Sequence, residues 1–153
     1  DGRGRSRKEA QTVTEWEKLL RGQVYNDFDD DLFQRRVAAK KRFRAYNRTE
    51  DGETELRRSI LRELLGSVGE NVWIEPDFRC EFGKNITIGD NVYINFGCVI
   101  LDCAEVTIGA NALLGPNIGI YPVNHALDAE ERIHGGCQGK PVRIGKTSGW
   151  AAT

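Results

Sequence analysis

At 153 residues, with 39% hydrophobic and 29% charged side chains, the chain has the size and balance of one globular domain that can bury a core. No apolar run approaches the roughly 18 residues that would suggest a membrane-spanning helix, so no membrane association is expected. The formal net charge of -1 divides unevenly, 16 basic and 13 acidic residues over 1–69 against 6 and 10 over 70–153, which excludes a generally basic nucleic-acid surface.

Residues 1–13 open on "DGRGRSRKEAQT", which has no apolar pattern and is expected to be a disordered tail. Residues 14–68 read as helical. "TEWE" (Thr14 to Glu17) is a capping box, in which Thr and Glu side chains satisfy free backbone N–H groups, and Gly22 closes that short helix. "DDDLFQRRVAAKKRFRAYN" follows, acids first and bases last as the helix dipole favours, with Leu32, Phe33, Val37, Phe43 and Tyr46 as its apolar positions. "TELRRSILRELLG" gives a third helix with Leu56, Ile60, Leu61, Leu64 and Leu65 on one face and Gly66 as its stop.

Over residues 69–146 the pattern changes. "ITIGDN", "VYINFG", "CVILDC", then "VTIGAN", "ALLGPN", "IGIYPV", and later "VRIGKT", each carry two apolar residues around a spacer. The second of each pair is Ile88, Ile94, Ile100, Ile108, Leu114, Ile120 and Ile144, and the insertion Ala104-Glu105 separates the two triplets. A helix repeats near 3.6 residues and a strand at 2. A period of six is that of a parallel β-helix, whose aliphatic residues point inward and stack while Gly and Asn turn the corners.

After Ile120 the register is lost until "VRIG", so residues 121–141 form an excursion loop, and it contains His125. Loops on rigid scaffolds carry chemistry disproportionately, and an unperturbed imidazole titrates at about pH 6.5, where it can accept a proton. The four cysteines, Cys80, Cys98, Cys103 and Cys137, form no CxxC and no zinc spacing, so they are expected to be reduced, mostly buried thiols in a cytoplasmic protein. Two histidines, His125 and His134, are too few for a three-histidine metal site; no metal is expected, and His134 is read as surface.

The helical cap, "LLRGQVY", "LRELLGSVGENVWIEPDFRCEFGKNITIGDN", "NFGCVILD", "VTIGAN", the "H-LD-EER" pattern and "GKPVRIG" together resemble the maltose and galactoside O-acetyltransferases over about residues 14–146. The resemblance implies a mainly β fold, a left-handed parallel β-helix with a small N-terminal α-helical cap. It implies acetyl-CoA as acyl donor, a sugar hydroxyl (maltose, glucose, galactoside or a lipo-oligosaccharide) as acceptor, and a homotrimer with sites between subunits. Carried over position by position, it implies that His125 is a general base and that Asn95, Asp102, Glu81, Asp27 and Tyr93 contact the acceptor. Cys137 stands where maltose-type relatives have a glutamate that could orient the histidine.

The sequence lacks Met, position 1 included, and ends "KTSGWAAT" where relatives continue through further coils that hold much of the acetyl-CoA groove. Residues 147–153 are therefore expected to be an aberrant tail, the product of truncation or a shifted reading frame, since a codon choice exists that encodes Val-Trp-Leu-Gly-Gly-Asp in the shifted frame. On that expectation the acetyl-CoA-binding residues are unassigned. The contrasting expectation is a catalytically impaired β-helical remnant that serves as a binding or assembly module.

Overall fold

The computed structural model describes residues 12–150, so most of the N-terminal tail and the last three residues of the expected aberrant tail lie outside the described residues. In chain order the elements are α1 (Glu15–Leu20), β1 (Tyr25–Asn26), α2 (Asp30–Asn47), α3 (Thr54–Leu64), β2 (Ser67–Val68), β3 (Trp73–Ile74), β4 (Arg79–Cys80), β5 (Ile86–Ile88), β6 (Tyr93–Ile94), β7 (Val99–Ile100), β8 (Val106–Ile108), β9 (Leu113–Leu114) and β10 (Gly119–Ile120). They continue with β11 (Val123–His125), α4 (Ala129–Ile133), β12 (Gly136–Gly139), β13 (Val142–Ile144) and β14 (Gly149–Trp150).

The cap helices begin where their side chains satisfy the first backbone donors. Thr14 and Glu17 form a reciprocal capping box on α1, and the Asp29 side chain accepts from Asp31 and Leu32 N–H at the start of α2. Sequence periodicity overstates the buried face. Leu32, Phe43 and Tyr46 are buried, but Phe33, Val37 and Leu56 are exposed. The cap is also not purely helical, because β1 interrupts it between α1 and α2.

The coils stack in three parallel sheets, ordered β13-β8-β5-β2, β14-β9-β6-β3 and β10-β7-β4. Ile88 pairs with Ile108, which pairs with Ile144; Ile74, Ile94 and Leu114 align on the second face; Cys80, Ile100 and Ile120 align on the third. All of these side chains are buried in one continuous core. A coil therefore begins one strand set earlier than the sequence pattern shows, at β2. Asn71, Asn91 and Asn111 turn the corner between the first and second faces with positive φ, and their amides form a ladder with bonds of 3.0 and 3.2 Å. Asn is among the few residues that visit this region at low cost.

Two expectations are corrected by these elements. The segment after Ile144 keeps the six-residue step, since β14 lies parallel to β9 with Trp150 opposite Leu114 and Leu113 N–H donates to the Ser148 carbonyl at 2.8 Å. Its backbone hydrogen bonding, which tolerates an unusual side chain, holds the register where residue type alone suggested a break. Residues 121–141 are likewise not a loop. They form an antiparallel hairpin, β11 and β12, with α4 at its tip, and β12 also pairs antiparallel with β1 of the cap. A second buried cluster, Leu19, Tyr25, Leu32, Phe82, Cys103 and Cys137, fills the space between cap, hairpin and coil corner.

Candidate active site

The hairpin leaves the β-helix at the corner that follows the third face, the same corner where the first two coils carry Glu81 and Asp102. Its packing is close. A Cβ on Gly139 would lie 2.5 Å from the Cys103 carbonyl oxygen and 2.9 Å from that of Pro122, so β12 is pressed onto the corner as only glycine allows.

Across the three-stranded sheet, His125, Cys137 and Tyr25 occupy one row of register partners. Tyr25 and Cys137 are buried, whereas His125 is exposed. His125 Nδ1 lies 3.1 Å from Cys137 Sγ, within hydrogen-bond range for sulfur. Burial pushes the Cys137 thiol up to about 11; the nearby Asp27 carboxylate adds to the shift, Arg36 opposes it, and Glu81 adds again. Three charges are thus close enough to act on the sulfur behind the imidazole. His125, Asn124, Asp128, Gln138 and Lys140 line an open cavity of about 580 Å³.

Asp27 and Glu81 come together here, through a residue that sequence reasoning did not select. Arg36, on α2, donates to both carboxylates and, at 3.0 Å, to the Asp27 carbonyl. Burial lowers the guanidinium's affinity for its proton, but the two carboxylates outweigh that and leave it raised. Asp27, Phe28, Phe33 and Arg36 line a second cleft of about 410 Å³. In the sequence Arg36 sits inside a run of bases, which reads as a solvated face, and no local signal distinguishes it.

The other expected contacts lie elsewhere. Asp102 is fully buried, and its carboxylate accepts the backbone N–H groups of Glu81, Phe82 and Asn85 at 3.1, 2.8 and 3.1 Å. This corrects the expectation that it touches the acceptor, because both oxygens are already held inside the corner. Its pKa is raised by burial, against the pull of those N–H donors. Asn95 and Tyr93 belong to the second face and the corner beyond it, so the single chain does not bring them to His125. Asn95 Oδ1 accepts from Phe96 N–H at 2.8 Å, and Tyr93 Oη donates to Glu75 at 3.2 Å. His134 caps α4, its Nδ1 2.7 Å from the Glu130 carbonyl.

Coils built from six-residue units and closed by a helical cap, with a histidine hairpin seated at one corner, define a hexapeptide-repeat acyltransferase. The maltose acetyltransferase hexapeptide capping motif matches residues 18–69. Nodulation protein L of Rhizobium meliloti (strain 1021) is 44% identical over 135 residues, 88% of this chain and 74% of that protein. A maltose O-acetyltransferase from Clostridium difficile 630 superposes with a TM-score of 0.80 at 39% identity, covering 89% of this chain and 76% of its own. A galactoside acetyltransferase in complex with coenzyme A gives 0.78 at 30% identity, covering 90% and 75%. The chain belongs to the maltose and galactoside O-acetyltransferase family.

Proposed function

We propose that the protein transfers the acetyl group of acetyl-CoA to a sugar hydroxyl, with His125 as general base. The observation that carries this reading is the seating of His125. One ring nitrogen faces a buried sulfur at 3.1 Å, which leaves Nε2, across the ring, toward the open cavity. His125 accepts the acceptor's proton as the hydroxyl oxygen bonds to the acyl carbon. The carbon–sulfur bond then breaks, and the imidazolium returns the proton to the leaving thiolate. Asp27 and Glu81, both fixed by Arg36, supply acceptor atoms suited to sugar hydroxyls.

Asn95 and Tyr93 join this reading only if a second copy presents its own corner to the hairpin. A homotrimer with sites between subunits is therefore part of the proposal. Four unpaired buried thiols support a reducing, cytoplasmic setting.

Thiol release from acetyl-CoA, measured with maltose, glucose or a β-galactoside, tests the reading. His125→Ala should lower turnover by about 10²–10⁴-fold, the usual contribution of a general base, while His134→Ala changes little. Turnover at the parent's level in His125→Ala removes His125 from the chemistry. A wild-type chain that binds sugar without releasing thiol would favour a binding module.

A further inference from the structure

A cysteine sulfur 3.1 Å from an imidazole is the arrangement of a nucleophile beside its base, yet the surroundings of Cys137 argue for a different role. Cys137 is 2% exposed, on β12 between β1 and β11, packed in an apolar cluster with Leu19, Tyr25, Phe82 and Cys103 at the inner edge of the His125 cavity. A nucleophile needs thiolate character and an open approach to the acyl carbon, and a thiol buried to this degree is poorly supplied with both. Burial holds it as a neutral thiol at neutral pH, consistent with a value pushed up to about 11.

A neutral thiol next to a histidine still sets one thing, namely which ring nitrogen carries the proton. If Nδ1–H donates to the sulfur, Nε2 is bare and can take a proton from substrate. If the thiol donates to Nδ1, the proton sits on Nε2 and the ring cannot act as a base on that side. The first arrangement is the one that fits the proposed base, because an imidazole that takes a proton from the cavity side needs a bare Nε2. Its ring proton then sits on Nδ1, whose hydrogen-bond partner is the Cys137 sulfur at 3.1 Å.

From this geometry we propose that Cys137 is the positioning residue of the site. Its sulfur accepts the Nδ1 proton of His125, fixes the imidazole's tautomer and orientation, and keeps Nε2 free toward the cavity. The proposal rests on His125 being the base, but the tautomer itself is measured without turnover.

His134 provides an internal reference, because its Nδ1 faces a carbonyl oxygen at 2.7 Å, which only accepts, so that ring must carry its proton on Nδ1. The test is the ¹⁵N spectrum of the histidine rings in the full chain, for wild type, Cys137→Val and Cys137→Ser. The wild type should show Nδ1–H on both rings. Cys137→Val, which keeps bulk and removes the acceptor, should move the His125 proton to Nε2 and leave His134 unchanged. Cys137→Ser, which keeps an acceptor, should restore Nδ1–H.

In turnover, Cys137→Val should lose about tenfold or more in kcat with the KM of both substrates unchanged, and Cys137→Ser should regain most of it, as expected for a partner that orients a catalytic or ligating imidazole. Should Cys137→Val not fold, Cys137→Ala is read in the same way. An Nε2–H tautomer in the wild type, or an unchanged His125 tautomer in the valine and alanine variants, overturns the proposal. So does recovery of acetyl-Cys137 after exposure to acetyl-CoA, which would make the thiol a nucleophile. If His125→Ala retains turnover while the ¹⁵N result holds, the catalytic reading fails and the tautomer assignment stands.

Discussion

The carboxylate of Asp102 accepts the backbone N–H of Phe82 at 2.8 Å, tying the closing corner of the second coil to that of the first. The same carboxylate also takes Glu81 and Asn85 N–H, so one buried side chain satisfies three backbone donors. Asp102→Ala should orphan all three and destabilise the chain by about 3 kcal/mol or more, given about 1–3 kcal/mol for each buried unsatisfied group. Denaturant midpoints check this. The folded pKa is raised by burial, so the carboxyl's contribution to stability is full below the ordinary carboxylate range and is lost as pH rises from there through the raised folded value. The gap between wild type and Asp102→Ala should therefore be wider in acid than at neutrality. The opposite trend would mean that the N–H donors outweigh burial.

Arg36 stands between two carboxylates that would otherwise repel. Arg36→Leu should leave Asp27 and Glu81 partly buried without a counter-charge, at a cost of about 1–3 kcal/mol and a higher KM for the acceptor. Arg36→Lys should recover little, since an ammonium lacks the planar fork that serves two carboxylates. Equilibrium unfolding and acceptor titrations read the two effects separately.

Ile94 and Ile100 are wholly buried in the prism, and truncating either to Ala should cost about 2–5 kcal/mol in equilibrium unfolding. Phe33→Ala and Val37→Ala, on the exposed side of α2, should each stay within about 0.5 kcal/mol. A small loss at Ile94 would mean that its side chain does not point inward.

Thr147 turns its corner at φ 58°, where Asn71, Asn91 and Asn111 turn theirs in the coils before. A β-branched residue is strained there. Thr147→Asn should raise stability by about 1 kcal/mol, within the cost of holding an L-residue in that region, and should raise the melting temperature accordingly. No gain would mean that the corner relaxes in solution.

The coils were legible because inward stacking leaves a fixed step in the sequence, from Ile88 through Ile120. The first coil was less so. Cys80 replaces an aliphatic residue, and Arg79 and Glu81 flank it with charge, although Cys80 packs in the same row as Ile100. The position of His125 in an interruption was visible, but the interruption's structure was not, since β12 takes its partners from β11 and from distant β1. Asp102 shows a further limit. A carboxylate at a coil corner can face outward to a ligand or inward to backbone donors, and the letters "LD" do not say which. Arg36 is the converse, a residue whose role arises only from partners on other elements.

The pairing of β1 with β12 also bears on how the chain is assembled. Neighbouring coils join residues about one turn apart, as in the asparagine ladder, where the separation is 20 positions. The hairpin instead meets the cap across a separation of 116, where Gln138 Nε2 donates to the Gly22 carbonyl at 2.8 Å. Contacts of short separation form early and those of long separation wait on loop closure. During synthesis the prism can therefore grow coil by coil while Leu19, Tyr25 and Leu32 remain uncovered, and the His125 neighbourhood closes only when β12 arrives to bury them. Loss of that late docking would release a chain with most of its coils intact, an exposed apolar seam and no organised site, a species prone to self-association before it is ever catalytically competent.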